Sequence, residues 1–474
     1  MATISTPGIG SGLDVQSIVS QLVALERAPI KQLQTQASTL QTRLSLYGTI
    51  QSQVSALGDA AKRLATSDAW DVVTATSSNA IAVNATASSG ASPGSYSFEV
   101  QQLARAQSAV SSSMTADDSV GAGAMTIELG SWASGSFAPS GGTPVSLVIA
   151  PGEDSLSAIA TKINDSDAGV TATVMRDASG ERLLLQSKST GESSGFRVTV
   201  IDDDGNDTNA AGLSRLAYDT AATGGMSLAQ SARNSLASIN GVTVTAETNK
   251  LTDTLPGLTI QLSQLTTQPV NIEIANDQAS IRKDVDAFVA AYNAINTTLS
   301  NALKYDEATK KGGTLQGDST AVGLQNALRG MMRSVTASTP FSRLVDVGIE
   351  LKSGGVLQVD SSKLDAAMGN LAGLKDLFTV STGNTLTEGF GKKLQTFSQG
   401  LLDAGGTLSN RSEALQAAIR RNSLDQERLE DRASRTETRL LAQYTALDTK
   451  LAGLSTLSSY VSQQVALWNN GGSS

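Results

Sequence analysis

The sequence contains no cysteine and no histidine. Disulfides, thiolate nucleophiles, structural zinc and most imidazole acid–base chemistry are therefore excluded. Aromatic residues make up only 4% of the 474 positions, so large aromatic anchors cannot dominate the packing. There is no run of about eighteen apolar residues, and no helical membrane span is expected. Basic clusters are also scarce. The 35 Lys and Arg stand against 44 Asp and Glu, a formal net charge of -9. Phosphate affinity comes from clustered cations, so nucleic acid and anionic membrane surfaces are not expected partners.

The opening MATISTPGIGSG has no basic stretch and no apolar h-region. It does not read as a Sec signal, so the expectation is a cytosolic chain or one exported without removal of a leader. A chain of this length exceeds one ordinary hydrophobic core, and two to four domains are expected.

What the sequence does have is an apolar stripe at each end. Near the start, Ser11-x-x-Asp14 offers a capping box, with Asp14 as a rival N-cap. Val15, Ile18, Leu22 and Leu25 then recur at steps of three and four. Pro29 predicts a break or kink after Arg27. The stripe resumes at Ile30, Leu33, Ala37, Leu40, Leu44 and Tyr47, slips once, and continues through Ile50, Val54, Leu57, Ala61 and Leu64. Near the end, Leu440, Tyr444, Leu447, Leu451, Leu454, Ser458, Val461, Val465 and Trp468 keep the same steps. Leu415, Ile419, Leu429 and Ala433 carry a looser version, interrupted by Asn422 and Gln426. Such steps are the seam of a coiled coil. Two long amphipathic helices, over about 13–66 and 408–468, need a partner, because isolated helices are marginal.

Between them the period changes to two at Trp70. Tyr96, Phe98 and Val100 share a strand face, and Pro93-Gly94, Asn240-Gly241 and Pro256-Gly257 mark turns, the second of the primed hairpin kind. A helix is predicted over Ser155–Asn164, followed by three strand runs. From Ser280 the chain is helical again, with a second helix capped near Asp318 or Ser319 and a hairpin around Ser353-Gly354-Gly355. The pattern reads as a multidomain α+β chain. Long terminal α-helices form a coiled-coil or helical-bundle leg, and two β-rich antiparallel central domains sit one inserted in the other. The expected boundaries are 1–40 with 441–474 for a terminal leg, mobile in the free subunit, and 41–77 with 274–440 for a helical leg domain. The β-rich head domain takes 78–112 with 231–273, and the inserted head domain takes 113–230.

Motifs that could carry chemistry resolve into structural readings. Gly312 and Gly317 have phosphate-loop spacing, but Asp318 stands where that loop needs Lys; a turn and an N-cap are expected instead. Gly8 to Gly12 follows no strand and reads as a leader. Asp202 to Asp207 lacks the Gly and Glu positions of a calcium loop and reads as a turn. Arg428, Arg432, Arg435 and Arg439 share a helix face with Glu427, Glu430, Asp431 and Glu437 interleaved. They read as flanking charges of a coiled coil, with inter-subunit ion pairs as their functional reading. No Gly-x-Ser-x-Gly elbow or carboxylate pair stands out, so no catalytic residue, cofactor site or metal site is assigned and no enzyme is expected.

The opening GIGSGLDVQSIVSQLVALERAPIKQL resembles the N-terminal signature of the flagellar hook-associated protein 2 family, the filament cap proteins. The stretch LSAIATKINDSDAGVTATVMRDASGERLLLQSKSTG resembles the hook IN motif that this family shares with flagellins. TLQGDST and the closing LLAQYTALDTKLAGLSTLSSYVSQQVALW are similar to the family's C-terminal region. The resemblance implies a ring-like homo-oligomer at the distal tip of the flagellum, under which exported flagellin folds into place. It also implies type III flagellar export, and as partners flagellin, the hook–filament junction proteins and a cytosolic export chaperone. The residues expected to carry oligomerisation or partner binding are Ile18, Leu22, Leu25, Leu33, Leu40 and Leu44, with Leu440, Tyr444, Leu447, Leu451, Leu454, Val461, Val465 and Trp468. Rival readings are a tip adhesin for mucin or glycans, a junction- or flagellin-like filament protein, and an exported wall hydrolase.

Overall fold

The structure is a computed structural model that describes residues 14–116, 118–308 and 310–470. Gly8 to Gly12, Ser11 of the capping box and the closing GGSS lie outside them. The helices described are α1 Val15–Ala65, α2 Leu156–Asp165, α3 Gln278–Leu303, α4 Ser319–Met332, α5 Ser361–Met368, α6 Leu371–Thr379, α7 Phe390–Leu402 and α8 Thr407–Asn470. The chain divides into two compact units, one built from residues up to 70 and from 279 onward, the other from 71–278.

In the first unit, α1 starts at Asp14, whose carboxylate accepts from the Ser17 N–H at 3.0 Å. Of the expected break or kink at Pro29, the break does not occur: α1 runs through it as one helix. Proline removes one donor, which leaves the carbonyl four residues back unpaired. That residue is Leu25, which is 71% exposed, so water can take the freed carbonyl. Further along, Tyr47, Ile50, Val54, Leu57, Ala61 and Leu64 are buried against Ile281, Val285, Phe288, Tyr292, Ile295 and Leu299 of α3. The slipped stripe thus forms the core face. Trp70 closes this unit: its indole N–H donates to the Leu64 carbonyl at 2.9 Å and its ring stacks on Phe378 at 5.5 Å. Asp318 caps α4 by accepting from the N–H groups of Thr320 and Ala321. The hairpin Ile349–Leu351 with Leu357–Val359 turns through Gly354 and Gly355, both at positive φ.

In the second unit every strand pair is antiparallel. A five-stranded sheet runs in the order Val73–Ser77, Val270–Asn276, Gly94–Gln102, Ser235–Ile239, Val242–Ala246. A three-stranded sheet, Lys250–Leu251, Leu258–Leu262 and Val83–Ala87, shares its core through Phe98, Val100, Ile260 and Ile272. Asn240 and Gly241, both at positive φ, close the primed hairpin between Ile239 and Val242. Two four-stranded sheets and α2 form a second core around Ile127, Ile159, Ile163, Leu183, Leu185 and Phe196. Ser155 caps α2, and the strands after it are Val170–Asp177, Gly180–Ser187 and Gly195–Asp202.

Two strands lie across the expected boundaries. Val73–Ser77, read as the end of the helical leg domain, pairs with Val270–Asn276 in the five-stranded sheet. Ser108–Val110, read as part of the outer head domain, pairs with Gly180–Ser187 around the second core. Short Ser/Thr strands carry too little apolar pattern to declare which core they join.

Candidate partner-binding surface on the terminal helix pair

The two long helices of the first unit lie along each other. Val15, Val19 and Val23 of α1 are buried with Ala433 of α8, and Leu440, Leu441 and Tyr444 pack on them. The contact ridge is a ladder of β-branched residues at steps of four, which are stiff at χ1 and lose little entropy on packing. The stripe chosen from sequence lies beside it. Ile18 is half-buried, Leu22 is 38% exposed and Leu25 is 71% exposed. The sequence stripe shares Val15 with the buried ladder and then follows the neighbouring ridge, so Val19 and Val23 are the residues it leaves out.

The other expected residues divide three ways. Leu33 is half-buried. Leu40 and Leu44 pack on the main core of the unit. Leu440 and Tyr444 meet the valine ladder, and Leu451 is half-buried. Leu447, Leu454, Val461, Val465 and Trp468 are exposed, together with Leu457, Tyr460 and Leu467. Trp468 is 87% exposed. From Gly453 to Trp468 every residue of α8 is exposed, and the stretch carries no charged side chain.

Ion pairs set the register of the pair. Arg27 of α1 meets Glu430 at 2.8 Å and Glu437 at 3.6 Å, and Arg432 meets Glu26 at 3.4 Å. Arg428 pairs with Asp425 within α8. The charges expected to bridge subunits are thus engaged within one chain at these positions. All are solvated, so each contributes about 0–1 kcal/mol and fixes alignment more than strength. The polar interruptions Asn422 and Gln426 satisfy each other, the Gln426 amide donating to Asn422 Oδ1 at 2.6 Å.

A buried polar cluster holds the root of the pair. The Tyr47 hydroxyl donates to Asp318 Oδ1 at 2.7 Å, and Arg411 of α8 donates to Oδ2 at 2.6 Å. One carboxylate therefore joins α1, α4 and α8. Burial alone would raise the Asp318 carboxyl, but the hydrogen bonds from Tyr47, Arg411 and the Ala321 N–H outweigh it and hold it below the usual range. Burial, reinforced by the Asp318 hydrogen bond and charge, pushes the Tyr47 phenol up to about 12. Asp202 is likewise engaged, accepting from the Ser214 N–H, the Ser214 hydroxyl and the Asp204 N–H. Among the described residues, no group of three or more His, Cys, Asp or Glu is placed to hold a metal ion.

This surface offers apolar contact flanked by ion pairs. Residues 11–107 match the family described as flagellar hook-associated protein 2 N-terminus, residues 232–455 match its C-terminus, and residues 140–189 match the flagellin hook IN motif. Flagellar hook-associated protein 2 of Escherichia coli (strain K12) is 30% identical over 481 residues, covering 98% of this chain and 98% of its own. The A-type flagellar hook-associated protein 2 of Pseudomonas aeruginosa is 29% identical, covering 97% of this chain and 96% of its own. Among solved structures, the D1-D2-D3 domains of the flagellar cap protein FliD from Escherichia coli align at a TM-score of 0.60 with 26% identity, covering 78% of this chain and 99% of that one. Related over nearly its whole length to the two hook-associated proteins, the chain belongs to the flagellar hook-associated protein 2 family, the filament cap proteins of the bacterial flagellum.

Proposed function

We propose that the outer apolar ridge of the terminal helix pair is the grip by which this cap protein holds the flagellar tip. The protein acts outside the cell at the distal end of the filament, as an oligomeric cap that promotes folding and insertion of exported flagellin and prevents its loss. The observation that carries the grip is the two-sidedness of the pair. The valine ladder is buried within the chain, while Leu22 and Leu25 on α1 and the Leu454-to-Trp468 segment of α8 stay in water. Burying a large apolar side chain contributes about 1.5–3 kcal/mol. A few such residues per subunit, multiplied over a ring, hold a cap firmly while each contact remains separately breakable.

The grip residues are Ile18, Leu22, Leu25 and Leu33 on α1 with Leu447, Leu451, Leu454, Val461, Val465 and Trp468 on α8. Leu40, Leu44, Leu440 and Tyr444 support them from within the chain. Other partners in this reading are the hook–filament junction proteins and a cytosolic export chaperone, which would cover the same apolar segments before export. No role falls to catalysis. The adhesin reading has no observation in its favour, since Ser/Thr-rich strands are ordinary antiparallel surface. The test is truncation: without residues 441–474 the protein should keep its β-rich unit folded yet fail to support filament growth. Normal growth by that truncated chain would refute the grip.

A further inference from the structure

A groove of about 470 Å³ runs between α4 and α7 of the first unit. Ala327, Gly330 and Met331 of α4 and Phe397 of α7 give it apolar walls, and Lys393 lines it as well. Gly330 lies inside α4, where glycine is a poor helix former. No close neighbour demands it, because a Cβ there would meet nothing within 4 Å. Its missing side chain keeps the groove open.

Lys393 is only 8% exposed. Its Nζ donates to the Val335 carbonyl at 2.6 Å and to Ser334 Oγ at 3.1 Å, two acceptors for an ammonium with three donors. Among the described residues no carboxylate lies within ion-pairing distance of it. Burial pulls its pKa down, and the more distant Glu388 charge opposes that only in part. Glu388 also lines the groove, as does Lys392, but its carboxylate is occupied by the N–H groups of Thr382 and Gly383. Those bonds fold the loop that holds Leu386 out in solvent at the groove rim, 75% exposed. A buried cation without a counter-charge is costly and is stabilised by an arriving anion. An apolar trough with such a cation is complementary to an apolar side chain next to a carboxylate.

We propose that this groove receives an apolar residue flanked by Asp or Glu on the flagellin chain, its carboxylate pairing with Lys393 and its apolar group lying on Gly330, Met331 and Phe397. The proposal rests on the cap reading above. A second copy of this chain fits less well. Of its exposed apolar–acid neighbours, Leu25–Glu26, Val345–Asp346 and Leu424–Asp425 have their carboxylates engaged by Arg432, by the Ser342 and Arg343 N–H groups, and by Arg428, Asp306 beside Tyr305 accepts from the Ala308 N–H, and Asp448 beside Leu447 is engaged as well.

The experiment measures binding of full-length protein to monomeric flagellin purified from the same bacterium, with oligomer mass recorded in parallel. Gly330→Leu fills the trough from a position with room for its Cβ, and Lys393→Met removes the charge. Each should weaken flagellin binding at least about tenfold while the protein stays folded, with a cooperative melting transition, and oligomer mass stays as in the wild type. Wild-type binding should weaken with added salt, and Lys393→Met binding should not. Wild-type affinity in the Gly330→Leu protein would overturn the proposal. So would a change of oligomer mass in place of flagellin affinity, which would seat a second copy in the groove. Neither result touches the cap reading, which falls only if the wild-type protein fails to restore filaments to a strain lacking its own cap.

Discussion

Gly391 of α7 lies so close to α1 that a Cβ there would stand 2.8 Å from the Ala65 nitrogen and 2.9 Å from the Ala61 carbonyl oxygen. Backbone cannot yield as a flexible side chain does. Gly391→Val should therefore destabilise the helical unit by about 1–3 kcal/mol, by forcing α7 off α1. In thermal unfolding the helical transition should move down by several degrees while the β-rich transition stays in place. An unchanged melting curve would mean that the two helices do not touch there.

The Asp318 cluster makes a second prediction. Asp318→Ala removes the α4 cap and strands both Tyr47 and Arg411, for a loss of about 2–4 kcal/mol. Because the folded carboxyl is held below its ordinary value, its contribution is present above about pH 4 and is lost as pH falls through the lowered value. Wild-type stability should therefore drop more steeply on acidification than that of Asp318→Ala. At the alkaline end, burial and Asp318 push the Tyr47 phenol up to about 12, so its contribution is present below about pH 10 and is lost as pH rises through the raised value. Ultraviolet titration should show one tyrosine fewer ionising late in a Tyr47→Phe protein.

The tryptophans report on the grip separately. Trp70 is 1% exposed and Trp468 is 87% exposed. The difference spectrum between wild type and Trp468→Phe should show red, water-exposed emission in the free subunit. On assembly it should shift to the blue, as the Trp468 environment becomes apolar. Emission that stays red in the assembled cap would remove Trp468 from the interface.

The architecture was legible wherever one face of an element is consistently buried. The run from Tyr47 to Leu64 announced a core helix, and Asn240-Gly241 announced a hairpin. From Val15 onward, the choice between Ile18–Leu22–Leu25 and Val19–Val23 as the inward ridge was not legible. Both ridges are apolar at helical spacing, and only the position of α8 decides which one turns inward. The break expected at Pro29 does not occur, because the helix hydrogen bond that proline removes falls at Leu25, on an exposed turn. Strands such as Val73–Ser77 went to the wrong side of a boundary because five residues of alternating Thr and Val or Ala fit any sheet. Lys393 gave no sign at all: nothing near it in sequence shows that α4 and a later loop will bury it.

The account stands on a division of labour between two neighbouring ridges of α1, and filament length tests it most directly. A strain without its own cap protein would carry Leu22→Ser/Leu25→Ser, changes at exposed positions that should cost the fold no more than about 0.5 kcal/mol each. The account predicts a subunit with wild-type helicity and melting, short or absent filaments, and flagellin accumulating in the medium. Filaments of normal length from that strain would contradict it.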